Sequence, residues 1–125
     1  MSHTILVVDD SPTVVKFVSL SLKSQGFKIL TASDGMDAIE KISTLPETEK
    51  VDLVITDLNM PNLDGYSLIE TLRQNVKHKE TPIIILSSED GYDDQERGMR
   101  VGANSYLVKP FKSSLLVEEV AKYLD

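Results

Sequence analysis

The amino-acid sequence predicts an α/β domain built on a parallel sheet of five strands, and three observations predict it. Five short apolar runs recur along 125 residues, each followed by a stretch whose apolar residues repeat at helical spacing. The runs are continuous rather than alternating, as in strands covered on both faces. Acids or a lysine stand just past several runs, where a parallel sheet would bring them to one edge. Alternation of this kind requires right-handed crossovers and helices on both sides of the sheet. The order 2-1-3-4-5 is a common solution for five strands in such a doubly wound fold.

The first strand is the run Ile5, Leu6, Val7 and Val8. Ser11 and Pro12 open helix one as a capping side chain followed by a first-turn proline. Val14, Phe17, Val18 and Leu22 repeat through it, and Gly26 stops it. Residues 27–31 read as strand two. Residues 36–45 read as helix two, with Ala38, Ile39 and Ile42 inward and Pro46 beyond its end. The polar stretch 47–50 is a loop. Residues 53–56 form the buried, partly β-branched third strand.

A turn-rich loop, 59–65, leads into helix three, whose core stripe is Leu68, Ile69 and Leu72. Residues 83–86 are strand four. Helix four, residues 93–101, is weak, because Gly91 and Gly98 each cost about 1 kcal/mol if interior. Residues 105–108 are strand five, and helix five runs over 113–124 with Leu116, Val120 and Leu124 on one face.

Composition narrows the function classes. The chain is 41% hydrophobic and 26% charged, ordinary for a soluble globule. One domain spanning 1–125 is expected. The formal net charge of -7 argues against a nucleic-acid partner and against docking on anionic membrane. There is no cysteine, hence no disulfide or thiolate site. The apolar runs fall far short of the roughly 20 residues a membrane helix needs, and no targeting segment is legible. A cytoplasmic monomer is expected. The start at Met1 and the end just past helix five read as a complete protein with no output domain.

Asp9 and Asp10 follow strand one and Asp57 follows strand three; in the order 2-1-3-4-5 these ends are neighbours at the switch point, where open α/β sheets bind ligands. Three carboxylates there repel one another unless a cation sits between them. Magnesium suits such a site, because it takes oxygen ligands and few protein carboxylates. Asp10 and Asp57 are expected to bind it directly, Asp9 directly or through water, and the Asn59 carbonyl to complete the protein share; manganese or calcium can substitute. Asp57 is the candidate nucleophile, since a carboxylate can attack phosphorus to form an acyl phosphate. Lys109 is expected to pair with Asp57 at rest and with a phosphoryl oxygen afterwards. Ser87 offers a hydroxyl to another oxygen. His3 and His78, in polar contexts, read as solvated surface.

Asp9-Asp10, Asp57 with Met60-Pro61 and Asp64-Gly65, Ser87, and Lys109-Pro110-Phe111 together resemble the receiver domain of two-component response regulators, closest to the free-standing CheY type. The likeness spans the whole chain and implies a flavodoxin-like (βα)5 sandwich. It implies that Asp57 accepts a phosphoryl group from a sensor histidine kinase or phosphotransfer protein. Asp9, Asp10, Asp57 and Asn59 would hold magnesium. The Lys109–Pro110 bond is expected to be cis, which is tolerable before proline. Ser87 and Tyr106 would form a switch pair that remodels the surface of helix four, strand five and helix five toward a target protein, with chemotaxis as one process. Asn59 and Glu89 lie where relatives tune the lifetime of the acyl phosphate. The protein would then be a phosphoacceptor with self-catalysed phosphorylation and dephosphorylation rather than a turnover enzyme.

This sequence departs from many relatives in having Ser88 after the switch hydroxyl. Glu89, Asp90, Asp93, Asp94 and Glu96 also make the region around the start of helix four acidic. Other readings are a phosphorelay intermediate or phosphate sink and, on the same sheet, a flavodoxin-like electron carrier. The carrier fits poorly, because two acids follow strand one where a flavin phosphate would bind. An aspartate-nucleophile phosphatase would place an acid where Asn59 stands.

Overall fold

The computed structural model describes residues 3–88 and 91–124. The elements alternate as β1 (Thr4–Val8), α1 (Pro12–Lys23), β2 (Lys28–Ala32), α2 (Gly35–Ser43), β3 (Leu53–Thr56), α3 (Gly65–Arg73), β4 (Ile83–Ser87), α4 (Tyr92–Val101), β5 (Ser105–Val108) and α5 (Ser113–Ala121). The sheet order is β2-β1-β3-β4-β5 with every pairing parallel, the doubly wound arrangement expected.

Because successive side chains on a strand point to opposite faces, the apolar runs feed two separate cores. Leu6, Val8, Val54, Ile83 and Ile85 pack with Ala38, Leu68, Ile69 and Leu72 beneath α2 and α3. Ile5, Val7, Leu53, Ile55, Ile84 and Leu86 pack with Val18, Leu22, Leu116 and Val120 beneath α1 and α5. Burying one such Leu, Ile or Val side chain contributes about 1.5–3 kcal/mol, so the two faces hold the central strands rigidly.

Helix ends differ from the expected ones for local reasons. α2 begins one residue early because the Asp34 side chain accepts the Asp37 N–H at 2.8 Å. It stops at Ser43 rather than at 45, where the Ser43 and Thr44 hydroxyls bond the Glu40 and Lys41 carbonyls. α5 ends at Ala121, and bonds from Lys122 N to Glu119 O and Tyr123 N to Val120 O tighten residues 122–123 into a turn. Gly91 is the N-cap of α4 and supplies no capping side chain, so of the two helix-four glycines only Gly98 is interior.

His78 corrects an expectation. It is fully buried rather than solvated, and its Nε2 accepts the Val51 N–H at 3.2 Å. The loop after α3 folds inward here because Arg73 gathers its carbonyls. The guanidinium donates to His78 O and Lys79 O at 3.2 Å and to Thr81 O at 2.8 Å in this loop, and to Gly102 O at 2.8 and 3.0 Å and the Asn104 side-chain oxygen at 3.0 Å in the loop before β5.

Candidate functional site

The parallel register brings the acids together. Val8 of β1 lies opposite Thr56 of β3, and the ladder continues one step further through Asp57 N–H to Val8 O at 3.0 Å. Asp9 N–H bonds Ala32 O across the other side of β1 at 3.2 Å. On the far side, the Lys109 N–H donates to Ser87 O at 2.8 Å. That bond anchors the start of the loop after β5 to the end of β4. The four segments therefore meet at the carboxyl edge around the β1/β3 switch point.

Carboxylate oxygens of Asp9, Asp10 and Asp57 lie within 4.8 Å of one another. Asp9 and Asp57 are buried, whereas Asp10 is exposed at the mouth. The Asp9 carboxylate accepts the Ser11 N–H at 2.9 Å, and Asp57 accepts the Leu58 N–H at 2.7 Å. Lys109 Nζ reaches both buried acids, at 2.8 Å from Asp9 and 3.3 Å from Asp57. The amine is thus shared and sits closer to Asp9, whereas the sequence pairs it with Asp57.

The electrostatics arise from that sharing. Burial pushes the Asp57 carboxyl above its ordinary value, with Lys109 pulling the other way and Asp9 adding to the rise. Burial disfavours the Lys109 ammonium, but the two carboxylates outweigh it and leave its pKa raised. One ammonium against three carboxylates leaves the site short of positive charge. An all-oxygen donor set open on the Asp10 side fits a hard divalent cation such as magnesium.

The loop after Asp57 is tied down tightly. Gly65 N–H donates to Leu58 O at 2.9 Å. A Cβ built on Gly65 would lie 2.2 Å from the Asp57 carbonyl oxygen, so only glycine allows α3 to start against the backbone of Asp57. Asn59 is exposed beside the site and Ser87 is fully buried at the end of β4. Ser88 is exposed, and Glu89 lies outside the described residues. Tyr106 is half-buried and packs against the core under α4. The Lys109–Pro110 peptide is cis, as expected.

Two groups of residues around the site are not foreseen from sequence. Asn62 adopts a left-handed φ of 68° and donates from its side-chain amide to Asp34 at 2.7 Å, joining the loop after β3 to the cap of α2. Its signal is the Asn-Leu-Asp-Gly turn, since asparagine tolerates that conformation. Tyr66, directly after Gly65, lies beneath the Arg97 guanidinium, 3.9 Å from its ring centroid. Nothing in the local sequence pairs those two.

The family model for the response regulator receiver domain matches residues 5–121. Protein PilG of Pseudomonas aeruginosa is 37% identical over 96% of this chain and 86% of its own length. Chemotaxis protein CheY4 of Vibrio cholerae superposes with a TM-score of 0.90 at 32% identity, covering 99% of this chain and 100% of that one. The receiver domain of the Pseudomonas aeruginosa sensor histidine kinase PA1611 was solved with magnesium coordinated in its active-site cleft; it gives a TM-score of 0.87 at 28% identity, with 98% of each chain covered. The chain belongs to the response regulator receiver domain family, the phosphoacceptor switches of two-component signalling.

Proposed function

We propose that Asp57 accepts a phosphoryl group from a phosphohistidine on a sensor kinase or phosphotransfer protein, and that the new charge switches the α4–β5–α5 surface toward a target protein. The observation that carries this reading is the convergence of Asp9, Asp10, Asp57 and Lys109 at one edge, the three acids within 4.8 Å of one another. In the transfer, an Asp57 carboxylate oxygen bonds phosphorus while the phosphorus–nitrogen bond of the donor breaks and its imidazole leaves. Magnesium, held by Asp9, Asp10, Asp57 and the Asn59 carbonyl, would neutralise charge on the phosphoryl oxygens.

Lys109, already within 3.3 Å of Asp57, holds a phosphoryl oxygen and relinquishes part of its bond to Asp9. Ser87 donates its hydroxyl to another oxygen. The aspartyl phosphate adds negative charge and strong acceptors at the end of β3. Ser87 moves toward them, and Tyr106 becomes more buried in the space behind it. Asn59 and Glu89 set how long the phosphoryl group survives. Self-catalysed phosphorylation from small donors and self-catalysed hydrolysis fit a switch rather than a turnover enzyme. Among the described residues no helix is long and apolar enough to cross a membrane. The net charge of -7 supports a protein partner rather than nucleic acid, and the proposed setting is a cytoplasmic monomer. The likeness to chemotaxis protein CheY4 of Vibrio cholerae supports chemotaxis as the process served.

Incubation with acetyl phosphate and magnesium, read by intact mass, tests the assignment. Wild type gains one phosphoryl group, and Asp57→Asn gains none. Equal labelling of the variant would remove Asp57 from the role. Lys109→Ala is expected to fold and accept label slowly while failing to switch partner binding; a variant that switches like wild type would contradict the role of the amine.

A further inference from the structure

The helix at the output end of the molecule is weakly held. Within α4 only Gly98 is buried, and no side chain caps its N-terminus. A Cβ on Gly98 would come within 2.6 Å of Ile85 Cδ1 and 3.6 Å of the Tyr106 ring, so this turn lies directly on β4 and β5. The preceding turn is held from another direction. Arg97, exposed on its helix, lays its guanidinium 3.9 Å from the centre of the Tyr66 ring. The Tyr66 hydroxyl makes long contacts of 3.4 Å to the carbonyl and carboxylate oxygens of Asp94.

Tyr66 itself cannot move independently of the acceptor loop. It is buried at the start of α3, and its neighbour Gly65 rests on the Asp57 carbonyl and bonds Leu58. One tyrosine therefore spans from the backbone of the acceptor to two successive contact points on α4. Tyr106 grips the same helix from β5.

We infer that Tyr66 is a positioning residue of the switch, which with Arg97 latches α4 in the arrangement of the unphosphorylated protein. This rests on the phosphoacceptor reading of Asp57. A phosphoryl group drawing Ser87 and Tyr106 inward must shift the helix that packs on Tyr106, and the Tyr66–Arg97 contact opposes that shift. Loosening the latch raises the population of the switched arrangement, and a ligand specific for that arrangement then binds more tightly by the same factor.

The test is a titration of beryllofluoride with magnesium, followed by amide resonances of α4 and β5. Arg97→Gln and Tyr66→Leu are expected to tighten apparent affinity by about 2- to 5-fold, the range of a solvent-exposed cation–π contact. The double variant should gain no more than the larger single one, because both remove the same contact. Tyr66→Phe, which keeps the ring under Arg97 and loses only the long 3.4 Å contacts to Asp94, should lie closer to wild type than Tyr66→Leu. A purely structural role would lower thermal stability without moving this affinity. Unchanged or weaker affinity in Arg97→Gln, or additive effects in the double variant, would overturn the latch. Because Arg97 is exposed, that variant decides the matter even if Tyr66→Leu fails to fold. A wild-type protein indifferent to beryllofluoride would overturn the phosphoacceptor reading and the latch with it, whereas wild-type switching with unshifted variants overturns the latch alone.

Discussion

At the carboxyl edge of the sheet two buried carboxylates share one ammonium beside a third, exposed acid; at the amino edge Arg73 and His78 bond chiefly to backbone groups. Arg73 spreads its donors over the carbonyls of Thr81 and Gly102 and the Asn104 side chain, closing the loops that enter β4 and β5. His78 accepts a backbone N–H from Val51 and so closes the entry to β3. The Arg73 donors and His78 Nε2 are matched to fixed partners, although the buried His78 Nδ1 has none among the described residues, and what they hold is loop geometry. Asp57 is instead buried beside Asp9 with only a share of Lys109. Its charge is matched by nothing wholly its own, and the proposed uptake of a cation and a phosphoryl group rests on that imbalance. One sheet thus uses buried polarity at one end to order the chain and at the other to keep an imbalance of charge.

The strongest way to break this contrast is Arg73→Ala. Leaving several carbonyls without their donor should lower unfolding free energy by about 3 kcal/mol, while acetyl phosphate labelling of the folded protein stays as in wild type. A large loss of labelling at unchanged stability would mean that the amino edge serves the chemistry. Next in size is the effect of magnesium. At a hundredfold excess over its Kd the ion should stabilise wild type by about 2.7 kcal/mol by mass action. That gain should vanish in Asp10→Asn, as calorimetric melts with and without the metal can show. A gain retained by the variant would place the ion elsewhere.

The smallest effect is a pH dependence from the amino edge. Burial pushes the His78 imidazole below its ordinary value of 6.5. The unfolded chain therefore binds a proton that the folded chain refuses, and stability rises with pH across that window. His78 contributes fully above 6.5, progressively less as the pH falls below it, and reaches a floor beneath its folded value. His78→Gln should flatten the difference between urea melts at about pH 7.5 and about pH 5.5, a window centred on the unperturbed imidazole value. An unaltered difference would show that His78 does not titrate across unfolding.

The strands were legible because a buried parallel strand has to be apolar on both faces, and runs such as 83–86 have no amphipathic alternative. The gathering of Asp9, Asp10 and Asp57 was legible for the same reason, since each comes after such a run and strand order then places it. The burial of His78 was not, because its partner Val51 lies on the far side of both β3 and α3 in the chain; a histidine among lysines reads as surface until Arg73 pulls its loop inward. The closer pairing of Lys109 with Asp9 was equally hidden, being decided by a few tenths of an ångström between two acids.

The order of elements, the two cores and the identity of the acidic edge were written into the chain, because hydrophobic periodicity and topology act on whole segments and survive small displacements. Which acid the amine favours, which loop a buried imidazole closes and which aromatic ring holds α4 were settled only on folding. Those contacts join side chains distant in sequence, and their strength depends on separations that no local pattern encodes.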